Sequence, residues 1–571
     1  MFNVGFSAFS DAGNKPVNQD CYKVAVPDFS ASKRHAAIAV VADGISSSQV
    51  SQYASDLAVN QFVHDFPVTS ELWSVERAAR HVAEAINTRL YVKTQTSAYQ
   101  DNPEHGYVCT FSAVIMTGSH AVLLHCGDSA IYHVRDNIAT CLTTRHRAES
   151  DWGEALLSNA LGLKPALSAQ CVVVDMRPGD SFVLLTDGIA ESLSNVQIAH
   201  TLTSHAGDGE MTAQTLASLA KQQGCEDNLT AVVVTVGNTS RDNALAYTQD
   251  GFLPLAGNVE VGKRIDNWLL VQELSYNERN RVFLAHSKDF ATHVVVKFPS
   301  TEMGENPAYL DSLAKEEWFA RMVRSPYVVT CPFLGSKRTW FYAVSDYIPG
   351  QSLRQWHDDN GMMTLPQLRA WGAQLAEGVN ALHRKGILHQ DIRPDNVLLD
   401  TNGILKIIDL GSASYFDYRF SSSPELPVAA GDLQYCAPEY IVGLHPDTRA
   451  DQYALAITFY FLLSGKFPYG TRVAQVSSIS GLRKIRYQSA CAQGAVIPVW
   501  VDFALQRACH LLPHKRYAAL TEFVHDLSYP NPAASEALPL MEKHPLRVWQ
   551  GVAAITTFGF FAMLVVHFGG W

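Results

Sequence analysis

The stretch Leu388–Gly411, LHQDIRPDNVLLDTNGILKIIDLG, decides how the second half of the chain reads. Two short apolar runs flank the turn residues Asp400 to Gly403, which is the pattern of a hairpin. Along it stand Asp391, Asn396 and Asp409. Phosphoryl transfer needs a carboxylate near the accepting hydroxyl and oxygen ligands for the cation that neutralises the phosphates. Asp391 suits the first role, and Asn396 and Asp409 suit the second. A lone His-x-Asp would say little, whereas three such roles in this order say much more.

The flanking sequence extends the pattern. VVVKF carries Lys297, and SLAKEEWFARMV carries Glu316 with Glu317 beside it, ahead of the turn Ser325-Pro326. VSDYIPGQSL, with Ser345 to Tyr347, lies before the amphipathic run TLPQLRAWGAQLAEGVNALHRKG. Ala437-Pro438-Glu439, Asp451 and Arg516 complete the set. With these residues the span 265–528 resembles the eukaryotic-like Ser/Thr protein kinases. The resemblance implies a bilobal fold that uses ATP and Mg²⁺. It implies that Lys297 contacts the nucleotide phosphates and pairs with Glu316 or Glu317, while Ser345 to Tyr347 border the adenine. It gives Asp391 the catalytic carboxylate role, Arg393 the steadying of the transferred phosphate, and Asn396 and Asp409 the cation. Asp451 would brace the catalytic loop, and Arg516 would pair with Glu439.

Departures from the family pattern carry their own expectations. Ser275, Asn277 and Asn280 stand at the three positions of the nucleotide-covering glycine loop, and any side chain there obstructs close backbone approach. Gln390 replaces an arginine that binds phosphorylated activation segments, which implies weak dependence on such phosphorylation. Arg393 replaces a lysine and Asp432 a threonine, so the guanidinium is expected to bridge Asp432 and keep it from repelling Asp391. Ser421, Ser422 and Ser423 are candidate acceptors.

The first 237 residues carry a second pattern, an acidic residue at or just past each of several Val-, Leu- and Ile-rich runs. AAIAVVADG delivers Asp43 and Gly44, HAVLLHCGDS delivers Asp128, DSFVLLTDG delivers Asp187, and EDNLTAVVVTV opens with Asp227. Such runs read as buried strands, so the carboxylates gather at a sheet rim, as hard divalent cations require. One Asp-Gly after a strand is ordinary turn chemistry. With Asp20, however, the series resembles the type 2C family of metal-dependent Ser/Thr phosphatases. That implies an αββα sandwich with two or three Mn²⁺ or Mg²⁺ ions held by Asp20, Asp43, the Gly44 carbonyl, Asp128, Asp187 and Asp227. Lys15 stands where the family has a phosphate-gripping Arg, Ser46 to Ser48 where Gly is common, and Ala130 where an Arg often follows. These changes bear on substrate grip.

Composition sets outer bounds. The chain has 571 residues, 47% hydrophobic and 17% charged, with a net charge of -11, which argues against a nucleic-acid surface. Ten cysteines without a CxxC pair suggest reduced thiols, and the N-terminus shows no export signal. The expected organisation is α+β and multidomain: a phosphatase domain at 1–237, a linker at 238–264, a kinase domain at 265–528 and a tether at 529–547. Val548 to Phe568, free of formal charge and about 30 Å long as a helix, is expected to be a transmembrane helix. Lys543 and Arg547 before it imply a tail anchor in the cytoplasmic membrane, with both catalytic domains on the cytoplasmic side. The whole resembles the fused phosphatase-kinase proteins of bacteria, with phosphorylatable proteins, itself included, as substrates. The alternative is an active phosphatase joined to a nucleotide-sensing or scaffolding pseudokinase.

Overall fold

Alternation along the strands sorts the first 240 residues into layers, because successive side chains point to opposite faces. In Ala37–Asp43, residues Ala37, Ala39 and Val41 join Val114, Leu184 and Val232 between two sheets. Ile38, Val40 and Ala42 turn the other way, into a cluster with Phe62 and Ile86 of the helices Ser51–Asp65 and Val75–Gln95. One sheet runs Asn3–Asp11, Leu229–Asn238, Ser181–Leu185, Ala130–Arg135, Ile138–Cys141. The other runs Gln170–Asp175, His120–Cys126, Phe111–Thr117, Ala37–Asp43, Asp20–Ala25. Ile198, Ala213 and Leu216 of the helices Asn195–Ser204 and Gly209–Gln222 pack on Val183, Leu185 and Ala231 of the first sheet. The result is the expected αββα sandwich.

The computed structural model describes residues 2–26, 36–149, 155–205, 209–239, 247–287, 292–332, 338–415, 433–444, 446–476, 478–494, 496–531 and 545–568. It divides into two compact units. The first comprises Met1–Pro349, Ala381–His389 and Ile407–Pro427; the second comprises Gly350–Asn380, Gln390–Lys406 and Val428–Trp571. The first unit includes the described residues of the 238–264 segment. Phe252 bridges Trp73, Leu253 N–H donates to Leu72 O, and Phe341 N–H donates to Pro254 O, so the segment from Phe252 to Pro254 is tied on both sides.

Within the first unit, a sheet of Arg264–Ile265, Trp268–Tyr276, Asn280–His286, Val294–Pro299 and Ala343–Asp346 accompanies the helix Pro307–Met322. Asn306 caps that helix by accepting from the Ala308 and Tyr309 N–H groups, with Pro307 in the first position, where a missing N–H costs nothing. The second unit is mainly helical and includes Thr448–Ser464, Val499–Ala508 and Leu520–Ser528. Asp447 caps the first of these, and Gly465, at φ 68°, ends it in the left-handed conformation.

The C-terminal expectation is corrected. A helix does form, Pro545–Phe568, but among the described residues no helix is long and apolar enough to cross a membrane. Arg547, Gln550, Thr556 and Thr557 interrupt its apolar character, and both threonine hydroxyls turn back to backbone carbonyls. The expectation of a membrane anchor rested on this segment and loses its support.

The second unit is stiffened by one buried ion pair. Arg516 donates to both oxygens of Glu439 at 2.7 Å, and also to the backbone carbonyls of Arg449 and His510. Both side chains are almost completely buried. Arg516→Met would leave the carboxylate in the interior without its partner. Denaturant unfolding of the full chain should show the second unit destabilised by about 3–5 kcal/mol.

Candidate active sites

The acidic site of the first unit is built by strand ends. Asp20 and Asp43 face each other across an antiparallel pair. Asp128 follows the strand His120–Cys126, and Asp187 opens a short helix after Ser181–Leu185. Carboxylate oxygens of Asp43, Asp128 and Asp187 lie within 4.8 Å of one another. Asp20 accepts a hydrogen bond from the Thr186 hydroxyl at 2.9 Å, while its Oδ1 is buried with no hydrogen-bond partner among the described residues. Two glycines permit the crowding: a Cβ on Gly44 would lie 2.8 Å from Ser51 Oγ, and one on Gly188 only 2.3 Å from Asn228 O. Asn228 in turn fixes the neighbouring loop, accepting from Gln19 N–H and donating to Ala12 O, each at 2.9 Å.

Charge at this rim is poorly compensated. Burial, reinforced by Asp20, Asp187 and Asp128, holds the Asp43 carboxyl well above the usual carboxylate range. Burial also raises Asp20, and burial with the charges of Asp128 and Asp227 pushes Asp187 up to about 6. An all-oxygen donor set, mutual repulsion and an orphaned buried oxygen fit a hard divalent cation. Asp227 stands outside the tight group of three and forms an ion pair with Lys15, which also donates to Ser46 Oγ at 2.7 Å. Sequence reasoning missed Arg147. It donates to Asp128 at 2.8 Å and Asp187 at 3.1 Å and pairs with Glu191. The basic run Arg145, His146, Arg147 was the available signal.

In the nucleotide half of the first unit, Lys297 Nζ lies 2.8 Å from Glu316 Oε2 and 3.6 Å from Asp409 Oδ1. Burial works against the ammonium, but Asp409 and Glu316 outweigh it and hold its pKa above the usual lysine value. Lys297 correspondingly lowers Asp409, whose φ of 59° is left-handed and whose carboxylate accepts from Gly411 N–H. The choice between Glu316 and Glu317 is resolved by geometry. Glu317 is committed elsewhere, to Arg338 at 2.9 Å, Ser70 Oγ at 2.6 Å and Val344 N–H at 2.7 Å.

The hairpin at the positions of the missing glycines closes without a left-handed residue. Asn277 Oδ1 accepts from the N–H groups of Arg279 and Asn280, both at 2.9 Å, and no residue from Ser275 to Asn280 has a positive φ. Ser275 stays in strand register opposite Val282, and Asn280 donates to Tyr309 Oη on the helix Pro307–Met322 at 3.0 Å. This is a tight hairpin closed by an Asx turn.

In the second unit, Asn396 Nδ2 donates to Asp391 O at 2.9 Å and to Asp391 Oδ2 at 2.8 Å. Gln390, at φ 68°, donates its N–H to the buried Asp451 carboxylate at 2.9 Å. Arg393 pairs with Asp395 at 2.9 Å. Asp432, its expected partner, and Ser421 to Ser423 lie outside the described residues.

Repulsion in the acidic rim predicts opposite signs for one substitution. Asp43→Asn should raise the melting temperature of the cation-free chain, by about 2–4 °C for each kcal/mol of repulsion removed. It should also abolish most of the stabilisation that added Mn²⁺ gives the unmodified chain. Thermal unfolding with and without Mn²⁺ reads both effects.

Comparison with known proteins bears on both halves. The family model described as Protein phosphatase 2C matches residues 10–233, and that described as Protein kinase domain matches residues 278–527. A probable serine/threonine-protein kinase of Clostridium acetobutylicum is 26% identical over 239 residues, 41% of this chain and 36% of its own length. The chain spans between 36% and 54% of the length of the first curated relatives it matches. Among solved structures, the catalytic domain of the phosphatase PstP, in complex with two manganese ions, is 22% identical, covering 42% of this chain and 100% of that one with a TM-score of 0.35. The Mycobacterium tuberculosis PknI kinase domain is 22% identical, covering 47% and 98%, with a TM-score of 0.37. The chain is therefore a fusion of a protein phosphatase 2C domain, at residues 10–233, with a Ser/Thr protein kinase domain, at residues 278–527.

Proposed function

We propose that the chain is a bifunctional signalling enzyme that transfers the ATP γ-phosphate to protein hydroxyls and hydrolyses phosphoserine and phosphothreonine. Its catalytic domains are assigned to 1–237 and 265–528, joined through 238–264. One observation carries the reading: a lysine paired to Glu316 at 2.8 Å and three carboxylates gathered within 4.8 Å occur on the same chain.

On the kinase side, Lys297, held charged by Glu316 and Asp409, orients the nucleotide phosphates. Asp391 takes up the proton of the attacking hydroxyl, and Asn396 fixes that carboxylate through its side-chain amide. Asn396 and Asp409 are the residues that would hold Mg²⁺, and Arg393 would bring positive charge to the transferred group. The Asx-closed hairpin from Ser275 to Asn280 covers the nucleotide with a stiffer and less close lid than glycines would give, which favours a modest nucleotide affinity.

On the phosphatase side, Asp43, Asp128 and Asp187, with Asp20, Asp227 and the Gly44 carbonyl, are the residues that would hold Mn²⁺ or Mg²⁺. Bound cations supply Lewis-acid activation of water and of the phosphate ester. The chain's own part is to gather the carboxylates and to bring Lys15 and Arg147 near the rim, where their charges can grip a phosphoryl oxygen. Lys15 offers a point charge and Arg147 a fork, so the latter suits bidentate contact better.

Full-length chain carrying Asp187→Asn should incorporate phosphate from ATP and Mg²⁺, and a further Asp391→Asn should abolish incorporation. Unmodified chain with Mn²⁺ should then remove the label. Nucleotide binding with no incorporation would select a sensing or scaffolding role for the kinase domain.

A further inference from the structure

The helix that carries Glu316 has a second polar face, and that face is engaged by the phosphatase domain. Asp311 accepts three hydrogen bonds from it: Trp73 Nε1 at 2.8 Å, Arg77 Nε at 3.0 Å and His81 Nε2 at 3.1 Å. Two turns on, Ser70 Oγ donates to Glu317 at 2.6 Å, and Arg321 donates to Thr69 O at 3.1 Å. Between these polar ends the Trp73 and Trp318 rings meet edge to face at 5.8 Å, both completely or almost completely buried. Leu72 and Trp73 share one apolar cluster with Leu310, Leu313, Ala314 and Trp318.

These contacts are specific rather than merely adhesive. Although burial favours its neutral form, Asp311 is held well below the usual carboxylate range by hydrogen bonds and charge from His81 and Arg77. A buried carboxylate with this many fixed donors has one orientation that satisfies it, so the helix is fixed in both rotation and axial position. Glu316 lies on the other side of that helix, paired to Lys297 at 2.8 Å. A rotation of the helix that released Asp311 would also withdraw Glu316 from Lys297.

We infer that Trp73, Arg77 and His81 of the phosphatase domain are positioning residues for the kinase reaction: through Asp311 they hold the Pro307–Met322 helix where Glu316 engages Lys297. The inference rests on the kinase reading above. By linkage, the coupling is reciprocal for binding, so nucleotide held at Lys297 tightens the grip of the phosphatase domain on the helix. The phosphatase domain is then a structural part of the kinase as well as its opponent.

The test compares Arg77→Met, Asp311→Asn and Arg77→Lys in full-length chain. Phosphate transfer to protein is measured in the Asp187→Asn background, and Mn²⁺-dependent hydrolysis of para-nitrophenyl phosphate without it. Arg77→Met and Asp311→Asn should each lower the kcat of phosphate transfer by about tenfold, the effect of one charge-assisted hydrogen bond. They should speed amide hydrogen exchange across 307–322 and leave phosphatase turnover within about twofold of the parent. Arg77→Lys should recover part of the transfer rate. Transfer and exchange unchanged in both variants would overturn the inference while leaving the kinase reading intact. Absence of transfer in the parent itself would instead overturn that reading, and the inference with it.

Discussion

Keeping carboxylates out of water is the constraint on which this structure depends. An ionised carboxylate in the interior is tolerated only with a cation or several fixed donors. Among the described residues, several buried or partly buried acids answer this in their own way. Glu439 takes both arms of Arg516, Glu316 takes Lys297, Glu317 takes Arg338 and Ser70, and Asp311 takes Trp73, Arg77 and His81. Asp20 and Asp43 are the exceptions. Burial raises both, the charges of Asp187 and Asp128 add to it at Asp43, and Asp20 Oδ1 is left without a hydrogen-bond partner among the described residues. The satisfied acids hold the fold, and the crowded ones offer an oxygen donor set that fits a hard divalent cation.

The same logic explains why the phosphatase fold and the nucleotide sheet fall into one compact unit. Three acids on a single helix, Asp311, Glu316 and Glu317, find partners in three different places. None can be released without stranding a charge, so the helix behaves as a rigid member. A fusion of two enzymes joined only by a flexible linker would have no such member, and each half would titrate and unfold by its own rules.

Much of this was legible from sequence because motif residues sit at backbone features with short-range causes. The strand-ending aspartates, Lys297, Asp391, Asn396 and Asp409 could each be placed by the apolar run beside them, and the two domain families followed from their order. Contacts between distant segments were not legible. Asp311 lies 238 residues from Trp73, and nothing local to either marks the meeting. Nor was Arg147 legible, since nothing in its local sequence marks the acids Asp128 and Asp187 that it meets. At the Asn-rich hairpin, sequence shows the missing glycines but not that Asn277 caps the turn with its own side chain. The C-terminal segment misled for the opposite reason: absence of formal charge was taken for sustained apolarity, which Gln550 and the paired threonines do not provide.

Two opposed activities on one chain imply a cycle in which phosphate passes from ATP to protein and then to water. The most direct measurement of that claim is release of free phosphate from ATP by the unmodified full-length chain with both Mg²⁺ and Mn²⁺ present. The account predicts steady release that is lost when either Asp391 or Asp187 is changed to asparagine, because each half of the cycle is then blocked. Release that persists undiminished in Asp391→Asn would contradict it, since the phosphate would be reaching water without passing through the kinase site.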